Sequence, residues 1–140
     1  MKAVFLDTFF LLAAINPDDA FHEEALAWSD AYDGPLLTTA WVITEVADAL
    51  AGPRHRKVFE TFFQALKAEK RVRLLPPDTA RWEQGLRLYF ERPDKEWSLT
   101  DCISFVVMRE EGLTEALTGD RHFDQAGFSA LLRIEPRKLR

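Results

Sequence analysis

The sequence has little of several things that usually announce a function, and each scarcity excludes something. Among 140 residues there is one cysteine, Cys102, so neither an internal disulfide framework nor a cysteine-based zinc site is available. The six glycines form no Gly-x-x-x-x-Gly-Lys-Ser/Thr loop, no Gly-x-Gly-x-x-Gly turn and no Gly-x-Ser-x-Gly elbow. That removes the usual phosphate cradles and the hydrolase nucleophile. The three histidines, His22, His55 and His122, show no paired ligand spacing. The longest apolar stretch, over residues 3–15, is broken by Asp7 and is too short to span a bilayer. The N-terminus carries one lysine, then an acid inside its apolar stretch, and no small-residue cleavage site. It does not read as a signal peptide, and the cytoplasm is the expected location.

What is present is the composition of one folded domain. Hydrophobic residues make up 47% and charged residues 29%, which excludes a disordered chain. The net charge of −5 argues against coating nucleic acid by charge alone. The average hides a pattern. Residues 16–33 carry six acids and no Lys or Arg. Residues 52–73 carry seven Lys/Arg and two acids, and residues 133–140 four basic residues and one acid. A basic face on an acidic protein is a lead to a nucleic-acid partner; a solvated helix face is the plainer account.

The apolar pattern alternates between short runs and helical periods. Strands are expected over 2–6, 36–39, 72–75 and 116–118, with a last one over 131–134. Helices are expected over 8–15, from about Asp18 to Tyr32, over 41–51, from about Pro53 to Lys70, from Asp78 to about Phe90, and over 100–111. Strands alternating with helices predict an α/β fold with a mainly parallel sheet and helices on both faces. Cys102 sits among Ile103, Phe105, Val106 and Val107, so it reads as a core thiol rather than a nucleophile.

Four acids resist explanation by solvation. Asp7 interrupts an apolar run at the carboxyl end of the first strand, where an unpaired carboxylate is costly to bury. Asp120 follows the strand over 116–118. Glu45 falls in the first turns of the helix after the second strand, and Asp101 in the first turn of the helix after Pro93. In open α/β sheets, ligands bind beyond the carboxyl ends of the strands, and all four can converge there. Each also has an ordinary reading. Asp7 can cap the helix at Thr8, Asp101 can complete a capping box with Ser98, Asp120 can belong to a turn with Gly119, and Glu45 can sit on the surface beside Asp48. Four coincidences of this kind at strand ends and helix starts are what a carboxylate pocket requires.

Several carboxylates held close together raise one another's pKa, and a divalent cation relieves the repulsion. Oxygen donors without Cys or His favour Mg²⁺ or Mn²⁺. Mg²⁺ is usually shared between one or two carboxylates and phosphate oxygens, so a phosphodiester is the natural substrate.

These residues resemble the PIN-domain ribonucleases, and within them the VapC-type toxins of toxin–antitoxin pairs. The resemblance spans nearly the whole chain. It rests on Val4-Phe5-Leu6-Asp7-Thr8, Thr44-Glu45-Val46, Ser98-Leu99-Thr100-Asp101-Cys102-Ile103-Ser104 and Leu117-Thr118-Gly119-Asp120-Arg121-His122-Phe123-Asp124. It implies a single PIN-like nuclease domain over 1–140, built as a three-layer α/β/α sandwich, and a Mg²⁺- or Mn²⁺-dependent endoribonuclease. It places the acidic quartet on Asp7, Glu45, Asp101 and Asp120. Within the quartet, Asp7 and Asp101 are expected as main metal ligands, with Glu45 and Asp120 binding metal through water or orienting the attacking water. Thr8 matches the hydroxyl that often follows the first acid. His122 stands where many members carry a further acid.

The expected partners are an RNA substrate, a second copy of the chain and a small antitoxin. Arg54, Arg56, Lys57, Lys67, Lys70, Arg71 and Arg73 are the candidate phosphate contacts. The aromatic load around Phe59, Phe62, Phe63, Trp82 and Phe90 predicts a homodimer interface that includes Phe62 or Phe63. The rival readings are a housekeeping RNA-processing nuclease and a non-catalytic RNA-binding module whose acids only cap helices.

Overall fold

The computed structural model describes residues 2–136. Five short strands pair side by side: β1 (Val4–Leu6), β2 (Leu36–Thr39), β3 (Val72–Leu75), β4 (Glu115–Leu117) and β5 (Ser129–Ala130). They form one sheet in the order β3-β2-β1-β4-β5, and every neighbouring pair is parallel. Strands buried on both faces need no alternation, which is why β1 reads Val-Phe-Leu without a polar residue. Among the described residues seven α-helices flank the sheet: α1 (Thr8–Ile15), α2 (His22–Ala31), α3 (Ala40–Ala49), α4 (Arg56–Ala68), α5 (Thr79–Glu91), α6 (Leu99–Glu110) and α7 (Arg121–Gln125). This is the expected three-layer α/β/α sandwich.

The topology sets the site. From central β1 the chain winds to β2 and β3 on one side, then crosses to β4 and β5 on the other. The winding direction reverses between β1 and β4, and a crevice opens at the carboxyl ends of strands at such a switch point. Leu6 pairs with Leu117, so the residues after both strands emerge together.

The core is continuous across the sheet. Phe5, Leu37, Val42, Val46, Ile103, Phe105 and Phe123 are each buried, and Phe105 meets Trp97, Phe123 and Phe128 in ring contacts. Cys102 belongs to it, and burial pushes its thiol up to about 11, far from a nucleophile's range. Gly85 lets α5 lie close on α6, because a Cβ there would meet the Ile103 side chain at 2.3 Å.

Several boundaries differ from expectation. α2 begins at His22, not near Asp18. The Asn16 and Asp19 side chains accept from the N–H groups of Asp18 and Phe21, so these residues make local turns instead of capping the helix. α4 begins at Arg56, after a turn in which the His55 N–H donates to the Gly52 carbonyl, so Pro53 lies outside it. The last strand is Ser129–Ala130, and Leu131–Arg133 is a 3₁₀ turn, not a strand. The apolar residues Leu131 and Leu132 are still buried, which is what their pattern reports. α7 has no counterpart among the expected elements; five residues are too few for a periodic signal.

The aromatic residues divide between two helices. Phe59, Phe62 and Phe63 are half-buried on α4, where the Phe59 and Phe63 rings stack at 5.8 Å. The most exposed aromatic surface lies instead on α5, at Trp82, Tyr89 and Phe90, the last 70% exposed.

Candidate active site

Asp7 follows β1 directly, and local chemistry explains its place. It is the N-cap of α1, with Oδ2 accepting from the Phe9 N–H at 3.4 Å. The same oxygen accepts a hydrogen bond from the Thr118 hydroxyl at 2.7 Å, which ties the end of β1 to the end of β4. Asp7 is only 3% exposed. Burial pushes its carboxyl up to about 7; the Thr118 hydrogen bond opposes this, and the charges of Asp101 and Asp120 add to it.

Asp101 is the third residue of α6 and completes a capping box: its N–H donates to the Ser98 hydroxyl at 3.0 Å, and its Oδ2 accepts from the Ser98 N–H at 3.2 Å. It is nevertheless buried, and burial raises its pKa, followed by repulsion from Asp120. Asp120 caps α7, accepting from the His122 N–H at 2.9 Å. Glu45, on the second turn of α3, accepts from the Thr8 hydroxyl at 2.6 Å. Burial raises its pKa as well, with the Asp101 charge contributing. Capping and pocket formation are therefore the same placement for Asp7, Asp101 and Asp120. A helix start offers a carboxylate N–H donors and a favourable dipole, which offsets part of the cost of burying it.

The charges of the four acids couple to one another, but not symmetrically. The ligating atoms of Asp101, Asp120 and His122 all lie within 4.8 Å of one another. Asp7 and Glu45 stand outside that set, near enough for their charges to couple to it. Among the described residues no Lys or Arg pairs with any of the four acids. Buried negative charge with no fixed cation beside it is a donor set suited to a divalent ion.

Two further participants lie in the last motif, where residue order shows His122 only as a departure from the family's pattern and gives Thr118 no role. Thr118 is fully buried, and its hydroxyl both donates to Asp7 and accepts the Asp120 N–H at 3.1 Å. A threonine at a strand end carries no signal without knowledge of which strand lies beside it. His122 brings Nδ1 to 3.1 Å from Asp101 and 3.3 Å from Asp120. Its partners are acids, so spacing among the histidines could not reveal it. Gly119, between them, has no room for a side chain: a Cβ would meet the Phe9 ring at 2.5 Å.

The candidate substrate contacts are placed differently. Thr8 commits its hydroxyl to Glu45, so it positions an acid. Arg54, Arg56 and Lys57 are exposed at the start of α4 and touch none of the acids; Lys57 pairs with Glu60 at 2.8 Å. Of the basic segment 133–140, Arg133 lies 3.8 Å from Asp124, and residues 137–140 fall outside the described residues.

Residues 4–129 match the PIN domain family. The chain belongs to it. Among relatives of this PIN domain is the 23S rRNA-specific endonuclease VapC20 of Mycobacterium tuberculosis, 29% identical over 126 residues, which cover 89% of this chain and 95% of that protein. The crystal structure of M. tuberculosis VapC20, described as a sarcin–ricin loop cleaving toxin, superposes with a TM-score of 0.81 at 26% identity, covering 91% of this chain and 97% of that one. The crystal structure of FitAcB from Neisseria gonorrhoeae shares the fold, with a TM-score of 0.61 at 20% identity over 98% of this chain and 96% of that one. Among the described residues no helix of this PIN domain is long and apolar enough to cross a membrane.

Proposed function

We propose that this PIN domain is a divalent-metal-dependent endoribonuclease and the toxin of a toxin–antitoxin pair. The observation that carries the reading is the convergence of Asp7, Glu45, Asp101 and Asp120 at the switch point, buried or half-buried and without a paired Lys or Arg. The relationship to VapC20, named as a 23S rRNA endonuclease, supports RNA as the substrate class and makes ribosomal RNA the first to test.

The expected main ligands are Asp7 and Asp101; because ligating atoms of Asp101 and Asp120 lie within 4.8 Å of each other, it is Asp101 and Asp120 that would hold a Mg²⁺ or Mn²⁺ ion, with Asp7 beside them. A bound divalent ion would polarise a phosphoryl oxygen and lower the pKa of a water. Thr118 holds the Asp7 carboxylate in place, and Thr8 does the same for Glu45. Glu45 would orient the attacking water, and its carboxyl, raised by burial, suits it to accept that water's proton. Arg54, Arg56 and Lys57 supply positive charge away from the acidic pocket, where the RNA backbone needs it. A second copy of the chain pairs through the aromatic-rich surface that includes Phe62 or Phe63, and a small antitoxin covers the acids with a basic side chain. A 16 kDa species in light scattering at micromolar concentration, with Phe62→Glu unchanged, would remove the dimer.

The deciding experiment is digestion of a mixed RNA pool, ribosomal RNA included, with and without Mn²⁺, followed by mapping of the cut ends. Cleavage at defined sites only with metal is expected. Intact RNA with folded, metal-loaded protein would favour the binding-module reading.

A further inference from the structure

The donor set at the switch point departs from an all-oxygen site. His122 enters it by construction: the Asp120 carboxylate that caps α7 also receives the His122 backbone N–H, which fixes where the imidazole starts. The ring then lies with Nδ1 3.1 Å from Asp101 Oδ2 and 3.3 Å from Asp120 Oδ1. Neighbouring donors around an octahedral ion with bonds of about 2.1 Å stand about 3.0 Å apart. Nδ1 therefore stands at the spacing of an adjacent ligand from each acid, and ligating atoms of all three residues lie within 4.8 Å of one another. No Lys or Arg among the described residues competes for either acid. In one tautomer Nδ1 carries a proton and bridges the acids; in the other it presents a lone pair to whatever cation they hold.

Nitrogen changes the selectivity of such a site. Mg²⁺ is a hard ion that prefers oxygen and keeps its waters, whereas imidazole favours transition metals. Building on the metal-dependent reading above, we propose that His122 is a direct ligand through Nδ1, and that this chain is thereby selective for Mn²⁺ over Mg²⁺. The competing role is that of a positioning residue, in which Nδ1–H only donates to Asp101.

Substitution by asparagine separates the two roles. Its side-chain amide places an N–H donor near the Nδ1 position and keeps the hydrogen bond, but it offers no aromatic nitrogen. The test is calorimetric titration of the full chain with Mn²⁺ and with Mg²⁺, beside pulsed electron paramagnetic resonance of the Mn²⁺-loaded protein. In the wild type a ¹⁴N coupling to Mn²⁺ is expected; in His122→Asn it disappears. Loss of an outer-shell partner commonly weakens metal binding by about 10–100-fold, and loss of a ligand should cost no less. Mn²⁺ affinity should thus fall by roughly tenfold or more in His122→Asn and in His122→Asp, and the Mn²⁺:Mg²⁺ affinity ratio should fall with it, Mg²⁺ binding being retained in the latter. Mn²⁺ bound without nitrogen coupling, or an unchanged affinity ratio in both variants, overturns the inference and leaves the carboxylate site standing. Failure of the wild type to bind either ion would instead remove the metal-dependent reading itself, and this inference with it.

Discussion

Two populations of carboxylate occupy this small protein, and they obey opposite rules. On the surface, Asp94 is gripped by Arg92 through two hydrogen bonds of 2.9 Å, which hold its carboxyl down to about 2. Asp78 and Glu69 are lowered too, first by the backbone N–H groups of Arg81 and Arg71 and then by the side chains of the same residues. At the switch point the directions reverse. Asp7, Glu45 and Asp101 are raised, in each case first by burial, and no Lys or Arg among the described residues answers them. The first population is satisfied within the chain. The second is left with charge that only a proton or an external cation can neutralise.

The largest effect should come from cutting into the second population. Asp101→Asn is nearly isosteric and deletes one charge. It is expected to reduce metal-dependent RNA cleavage by at least about a hundredfold, on the scale of lost metal-site interactions, with the circular dichroism spectrum unchanged. Wild-type rates in the variant would dismiss Asp101 from the site.

The next effect is on stability. The Asp7 carboxyl titrates at about 7 in the fold, against 3.8 for an ordinary aspartate. The native state therefore holds a proton that the unfolded chain releases, and this favours folding most below about pH 4. The advantage declines as pH rises and is lost through about pH 7. From the two values it amounts to about 4 kcal/mol at most, at about 1.4 kcal/mol per pH unit. Glu45 and Asp101 act in the same sense. Metal-free protein should thus unfold at lower urea concentration at pH 8 than at pH 5, and added Mn²⁺ should restore the midpoint at pH 8. Asp7→Asn should flatten the dependence; an equally steep profile in that variant would assign it elsewhere.

A smaller effect belongs to the exposed cations. Replacing Arg54, Arg56 and Lys57 together by Gln should weaken RNA binding. It should also flatten the salt dependence by about 0.7 in log–log slope for each phosphate of a single strand that is no longer neutralised. If the slope stays as it was, the start of α4 is only a solvated face. The smallest effect sharpens the contrast from the other side. Arg92→Ala breaks an exposed pair, and such pairs add little. The melting temperature and cleavage rate should both stay where they are, and a large loss of either would show that the surface population is not the passive one.

Much of this arrangement is legible in residue order because the forces behind it are local. The strands at 36–39 and 72–75 and the helix at 8–15 follow from short, largely apolar or β-branched stretches and clear stops. An acid at a strand end or helix start is conspicuous for the same reason. Where local rules compete, residue order misleads. Asp18 looks like a cap, but Asn16 and Asp19 direct this stretch into turns, and α2 waits until His22. The two-residue strand β5 and the five-residue helix α7 fall below the length at which any period can be recognised.

Sequence alone determined the inventory: alternating strands and helices, three acids at the element ends where carboxylates are easiest to hold with Glu45 a turn into its helix, and the absence of any rival motif. It also determined family membership, since the motifs lie in order along the chain. Only the tertiary structure decided that β1 lies beside β4. That pairing lets Thr118 bond Asp7 across 111 residues and brings the imidazole of His122 against Asp101. It also decided how far each pKa moves, because desolvation depends on what packs over a side chain and not on its neighbours in sequence. Capping, turns and periodicity act over a few residues, so a sequence displays them. Strand pairing and burial act between residues far apart along the chain, and they exist only once it has folded.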